Sequence, residues 1–283
     1  MSTTGTRTDA PALEARWRAY AAIYAGRARI ATIDAFQYRA QNLVYLIGMV
    51  TEPVVYLVVW STIARSHGGS LDGYTPGTFA AYYIVWMLVR NMNIVFTPYG
   101  WEERVRTGQL SAQLLRPLHP IHYDLSWFIG WKVFAIGAWI PIAVALSLVF
   151  HPTLDPTVGQ VLTFLVAIWA AYLIRSLFMW ALGLVTLWTT RVGALYDAYF
   201  TVELLFSGRL VPLALMPSWA RTLSWVLPFR WAFGFPITSL VGPVTNGQLL
   251  AGLGMQLAWI AAGSLLVAVV WRSGIRRYGA VGG

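Results

Sequence analysis

Six stretches of this 283-residue chain are predominantly apolar over 20 or more positions: residues 43–63, 79–98, 125–149, 158–188, 194–216 and 248–271. A helix needs about 20 such residues to cross the roughly 30 Å hydrocarbon core of a bilayer. In lipid, every backbone polar group must be paired inside a helix or a closed barrel. The alternating pattern of barrel strands is absent, so the runs predict an all-α integral membrane protein with six transmembrane helices. The stretch 158–188 is too long for a perpendicular crossing at about 1.5 Å per residue, which predicts tilt, a kink or an extension beyond the membrane. Composition agrees. Hydrophobic residues make up 58% and charged residues 11%, against about a quarter charged in a soluble domain. That excludes a cytosolic globular enzyme and a disordered chain. With no Cys, it also excludes a disulfide scaffold and thiolate-bound metal.

Charge orients the chain. The net charge is +9, and nineteen of the 20 cations are Arg, the exception being Lys132. With the N-terminus inside, thirteen cations fall on cytoplasmic segments and four (Arg65, Arg209, Arg221, Arg230) on outer ones, with Arg90, Lys132 and Arg175 inside spans. The positive-inside rule then puts both termini in the cytoplasm of a multi-pass cell-membrane protein. The first apolar run lies behind six arginines, beyond residue 40, and reads as an uncleaved insertion signal rather than a leader. On so apolar a chain, the basic charge suits a lipid bilayer with anionic headgroups and not nucleic acid.

The remainder divides around the spans. Residues 1–10 read as a disordered tail and 11–40 as an amphipathic interfacial helix. In the latter, Leu13, Trp17, Tyr20 and Tyr24 form a stripe flanked by Arg16, Arg18, Arg27 and Arg29. Residues 41–271 form the transmembrane domain and 272–283 a cytoplasmic tail. The loop 99–124 between spans two and three carries a helix ended by Pro117 and Pro120. Its Leu110, Leu114 and Leu115 share a face suited to a partner protein, or to packing on the chain's own spans. The segment before the last span is apolar yet holds Pro212, Pro217, Pro228, Pro236 and Pro243. It reads as short helices at 218–226, with Ser218 as N-cap, and 229–240, in a re-entrant outer segment 217–247.

Several chemistries are missing from the sequence. A nucleotide-binding Walker loop needs Lys after a glycine-rich turn, and Lys132 follows Trp131. Four histidines (His67, His119, His122, His151), with no carboxylate cluster beside them, do not make a metal site. The chain is therefore not read as an enzyme, and no cofactor is expected on it. Ionisable residues inside spans are costly unless paired. Counting from the span ends puts Glu52 at the depth of Arg90, and Arg175 within reach of Glu203. Such pairs either fix helix packing or line and gate a path. Lys132 reads as snorkelling toward the inner surface. Gly254, Ala258 and Ala262 make a small-residue stripe suited to close helix approach.

Three local runs carry a resemblance. Residues 106–118, RTGQLSAQLLRPL, end in Leu-Leu-Arg-Pro; Phe206-Ser207-Gly208 leads through Pro212-Leu213 to Met216-Pro217-Ser218-Trp219; and the chain ends Tyr278-Gly279-Ala280-Val281-Gly282-Gly283. In this order, with six spans, the sequence resembles a type-2 ABC exporter permease, of the branch with that C-terminal tail. The resemblance implies a pathway built by two permease subunits, a second copy or a sister chain. Two copies of a separate ABC ATPase would hold ATP and Mg and dock on a coupling helix. Here that helix maps to Glu102, Glu103, Arg104, Arg106, Leu110, Leu114, Leu115 and Arg116. The cargo implied is an amphipathic or hydrophobic compound: a drug, natural product, lipid or glycoconjugate. The alternative is an ion- or proton-coupled secondary transporter, which calls for several acidic groups in the spans and internal repeats.

Overall fold

A computed structural model describes residues 10–189 and 191–278. The tail at residues 1–9, residues 279–283 of the C-terminal motif, and the side chains of Leu13 and Arg16 lie outside what is described. Eleven α-helices follow in order among the described residues: α1 (Ala10–Gln37), α2 (Arg39–Ser66), α3 (Pro76–Met92), α4 (Pro98–Arg106), α5 (Gln109–Leu114), α6 (Pro120–Phe150), α7 (Val158–Leu184), α8 (Gly193–Phe206), α9 (Ser218–Trp225), α10 (Phe235–Val241) and α11 (Asn246–Gly274). No strand occurs among these residues; a single antiparallel bridge joins Leu71 and Tyr74. Four helical runs are long and apolar enough to cross a membrane: Ile47–Ser66, Pro120–Phe150, Val158–Leu187 and Asn246–Gly274.

The starts of the inner helices are written in their caps. Thr157 with Gln160 and Thr245 with Gln248 form capping boxes at α7 and α11, and Thr75 caps α3 ahead of Pro76. α3 is the enclosed centre. Its Phe79, Tyr82, Tyr83 and Trp86 are at most 1% exposed, packed among α2, α6, α7 and α10. α11 lies along α7, where Gly263 admits Leu177 and Phe178, and Gly252 admits the Phe235 ring. The expected stripe of Gly254, Ala258 and Ala262 is on another face: a Cβ at Gly254 would meet nothing within 4 Å.

Both apolar stretches that were expected to run on as helices are cut short. The second stops at Met92 rather than 98, and residues 93–97 continue without helix. The fifth stops at Phe206 rather than 216, because Gly208 takes a left-handed φ of 85° and Pro212 follows. At 14 residues, α8 spans about 21 Å. The bent chain beyond it has its carbonyls paired from neighbours. Tyr82 donates to Gly208 O at 2.8 Å, while Tyr83 and Trp60 donate to Leu210 O at 3.0 and 2.9 Å. Non-helical backbone among apolar helices needs such partners.

The segment before α11 is also broken. α9 starts at Ser218, but the cap position is Pro217 and no side chain caps it, so Ser218 is not the N-cap. Residues Arg230–Gly234 form a π-helical turn that leads into α10. The wide turn leaves carbonyls that no i+4 amide reaches. Gln256, fully buried, donates to Trp231 O at 2.8 Å, and Asn93 donates to Ala232 O at 2.7 Å.

α1 is not a solitary surface helix. It runs alongside the first half of α6, with Tyr24 Oη 2.8 Å from His122 Nδ1, Arg27 donating to Tyr123 O, and Thr32 donating to Gly130 O. Gly130 makes this possible, since a Cβ there would sit 2.1 Å from Ala28 O. Trp17 is 71% exposed, while Tyr20 and Tyr24 pack on the His122 ring.

Candidate functional site: buried ion pairs and a two-helix platform

α4 and α5 were expected as one helix ending at Pro117. The chain instead turns at Thr107–Gly108, with Gly108 left-handed at φ 73°. The turn rotates the two halves apart and sorts the expected docking residues into inner and outer sets. Arg104 points inward. Its NH1 and NH2 donate to Asp124 Oδ2 and Oδ1 at 3.0 and 2.8 Å, and Trp180 Nε1 donates to Oδ2 at 2.8 Å. The guanidinium also lies 4.2 Å from the Phe96 ring centre. Trp101 meets Trp180 edge-to-face at 4.7 Å, resting on Gly183, where a Cβ would come within 2.2 Å of its Cδ1. Leu110 is fully buried in this cluster, so it is core and no docking leucine. Glu102 accepts from the Val192 amide. The outward set is Glu103 and Arg106, which pair with each other at the surface, with Leu114, Leu115 and Arg116. Leu115 is 89% exposed. Ser111 Oγ lies 2.9 Å from Tyr278 Oη, tying α5 to the chain beyond α11.

The second group of charges sits between the helices. Glu52 of α2 lies 3.1 Å from Arg90 of α3. The same carboxylate takes a bidentate pair from Arg209, Nε to Oε1 at 3.0 Å and NH2 to Oε2 at 2.9 Å. Arg209 had been counted among the outer loop cations. The break after α8 brings it back against α2, over the Phe200 ring at 5.1 Å. Arg175 of α7 and Glu203 of α8 are brought together through Nε–Oε2 and NH2–Oε1 contacts at 3.0 and 2.9 Å, with Glu203 1% exposed.

Arg175 also donates to Asn93 O at 2.6 Å, and Lys132 donates to the next carbonyl, Ile94 O. These carbonyls end α3, where the helix dipole is negative and cations are favoured. Lys132 therefore does not snorkel. It is 1% exposed, with its ammonium 4.6 Å from the Tyr172 ring centre. The residues beyond α3 carry no sequence signal for this role until the helix is known to stop at Met92.

Among the described residues, no three His, Asp or Glu side chains gather to hold a metal ion. At the start of α6, His119 stacks 4.4 Å from Trp271 and 5.4 Å from Trp180. Burial, and after it the nearby His122, hold its pKa down to about 4, so it is neutral at pH 7.

The arrangement holds charges, not reactants: cations clamp helix ends and carboxylates, and no nucleophile faces a cavity with a base. That is the chemistry of a moving membrane part. The sequence pattern described as ABC-2 family transporter protein matches residues 50–282, a stretch that takes in every charge pair above. This chain belongs to the ABC-2 transporter family. No curated protein matches it. As an ABC-2 permease it is the multi-pass membrane subunit of an ABC transporter, and ATP hydrolysis is the work of a partner subunit. Membership favours this reading over an ion- or proton-coupled carrier.

Proposed function

We propose that this permease exports an amphipathic or hydrophobic compound across the cell membrane, as half of a two-permease pathway with both termini cytoplasmic. A separate ATPase, present in two copies, carries ATP and Mg. The α4–α5 platform is its docking surface. The observation that carries this reading is Leu115, apolar and almost wholly in solvent at the tip of a platform whose opposite face is locked into the bundle. Leu114, Arg116 and the Glu103–Arg106 pair surround it. An exposed leucine amid charges suits a partner groove. Movement there passes through Arg104 to Asp124 on α6 and Trp180 on α7. The Glu52 and Arg175 ion pairs then bias which packing of the spans prevails.

Leu115→Asp tests this. Co-purification of the full chain with its ATPase, and ATPase stimulation in liposomes, should both fall at least about tenfold, a loss of about 1.4 kcal/mol or more. The thermal unfolding midpoint of the permease should not move. Unchanged association would remove α4–α5 as the docking surface. Leu110→Asp is not an equivalent test, since it places a charge in the core cluster and unfolds the platform.

A further inference from the structure

A groove of about 520 Å³ lies between α6, α7 and α11. Leu173, Leu177, Ile260, Val267 and Trp271 form much of its wall. Along α11 it runs from Ile260 to Arg272. At 1.5 Å per residue that is about 18 Å, close to one leaflet of a roughly 30 Å hydrocarbon core. Trp271 is fixed in the wall by the His119 and Trp180 rings, 4.4 and 5.8 Å away, so this wall is formed in advance of any ligand.

Arg272 closes one end of the groove and also lines a second hollow of about 450 Å³, shared with Arg276 and Arg277. None of the three arginines has a carboxylate partner among the described residues. A slot one leaflet long therefore opens onto three guanidiniums that lack counter-ions. Guanidinium forks match phosphate oxygens, and a cationic cluster at the end of an apolar run attracts anionic headgroups. A second copy of this chain is a poorer occupant, because it would cover three unpaired arginines.

We infer that this groove binds one anionic phospholipid, an acyl chain lying between α6, α7 and α11 and the phosphate held by Arg272, Arg276 and Arg277. The inference requires only that the chain spans a membrane. It stands or falls apart from the ATPase-docking reading, because its readout contains no ATPase.

The test is native mass spectrometry of the full chain in mild detergent, titrated with phosphatidylglycerol or phosphatidylcholine of identical acyl chains. Phosphatidylglycerol should be retained at concentrations about tenfold lower or more, since each arginine near the surface is worth about 1 kcal/mol toward anionic lipid. Combining Arg272→Gln, Arg276→Gln and Arg277→Gln should erase that preference. Ser264 is exposed and lines the groove, so Ser264→Trp should weaken retention of both lipids. Ser264→Leu serves if the larger residue disturbs folding. Arg65→Gln, at a distant helix end, should behave as the parent. Equal retention of the two lipids by the parent, or an undiminished preference in the triple variant, overturns the inference. So does displacement of phosphatidylglycerol by inorganic phosphate, which would mark a free-anion site. In this cysteine-free chain, Ser264→Cys supplies a single thiol. A disulfide between two copies at that position would show that the groove is a subunit contact, and would also overturn it.

Discussion

Asp124 and Glu52 each take a bidentate arginine, yet they sit in opposite kinds of site. At Asp124 one anion meets one cation, Trp180 supplies a third donor, and the two charged side chains are 10% and 8% exposed. At Glu52 one anion is shared by Arg209 and Arg90, and the Glu52 and Arg90 side chains are 25% and 29% exposed. The first site is balanced and closed, and it fastens α4 to α6 and α7. The second has a surplus cation and access to its surroundings, so one arginine can leave without stranding the carboxylate. A rigid joint and an exchangeable one, in the same chain, are what a lever needs to turn a push at one end into re-packing in the middle.

The comparison breaks first at Arg104. Arg104→Ala leaves Asp124 buried without a counter-ion, and the expected loss is about 3–5 kcal/mol, read as a fall in the unfolding midpoint of detergent-purified chain. A loss below about 1 kcal/mol would mean that the joint is not rigid. Glu52→Gln comes next. It leaves two guanidiniums facing a neutral amide, at an expected cost of about 1–3 kcal/mol in the same assay. Acid probes the closed site by another route. His119 has a folded pKa of about 4 against an ordinary 6.5. The unfolded chain thus binds the extra proton first, and this contribution to stability is complete above pH 6.5 and lost as pH falls toward 4. Midpoints measured from pH 7.5 to 4.5 should fall more steeply for the parent than for His119→Gln. Equal slopes would exclude His119 as the cause. The smallest stability effect belongs to Arg90→Gln, at about 1 kcal/mol or less, because Arg209 keeps both its bonds to Glu52. Its transport rate in liposomes with the partner ATPase should nonetheless change. Normal turnover in both Glu52→Gln and Arg90→Gln would reduce these pairs to packing.

How much of this was legible in the sequence differs by residue. The approach of Glu52 to Arg90 follows from counting along two antiparallel helices, and the broken outer segment follows from its prolines. Arg209 was out of reach, because only the left-handed turn at Gly208 returns it to α2. Lys132 was misread for a related reason: its partner, Ile94 O, is a spare carbonyl only if α3 ends at Met92, and the apolar pattern continues to residue 98. Leu110 and Arg104 were assigned outward by a helical wheel drawn straight through Gly108. Periodicity describes a helix well and says nothing about where a glycine resets the phase.

The π turn at Arg230–Gly234 has a consequence for how this chain tolerates change in length. A π turn holds one residue more than the α-helix it interrupts. Removing one residue there would let the segment close into α-helix and advance everything after it by about 100°. Phe235 would swing away from Gly252, where its ring now occupies the space of a missing side chain, and Gln256 would lose the spare carbonyl that it caps. One residue of slack is thus stored beside the last span, and the side chains of two other helices, Asn93 beyond α3 and Gln256 on α11, act as the ratchet that keeps it from slipping.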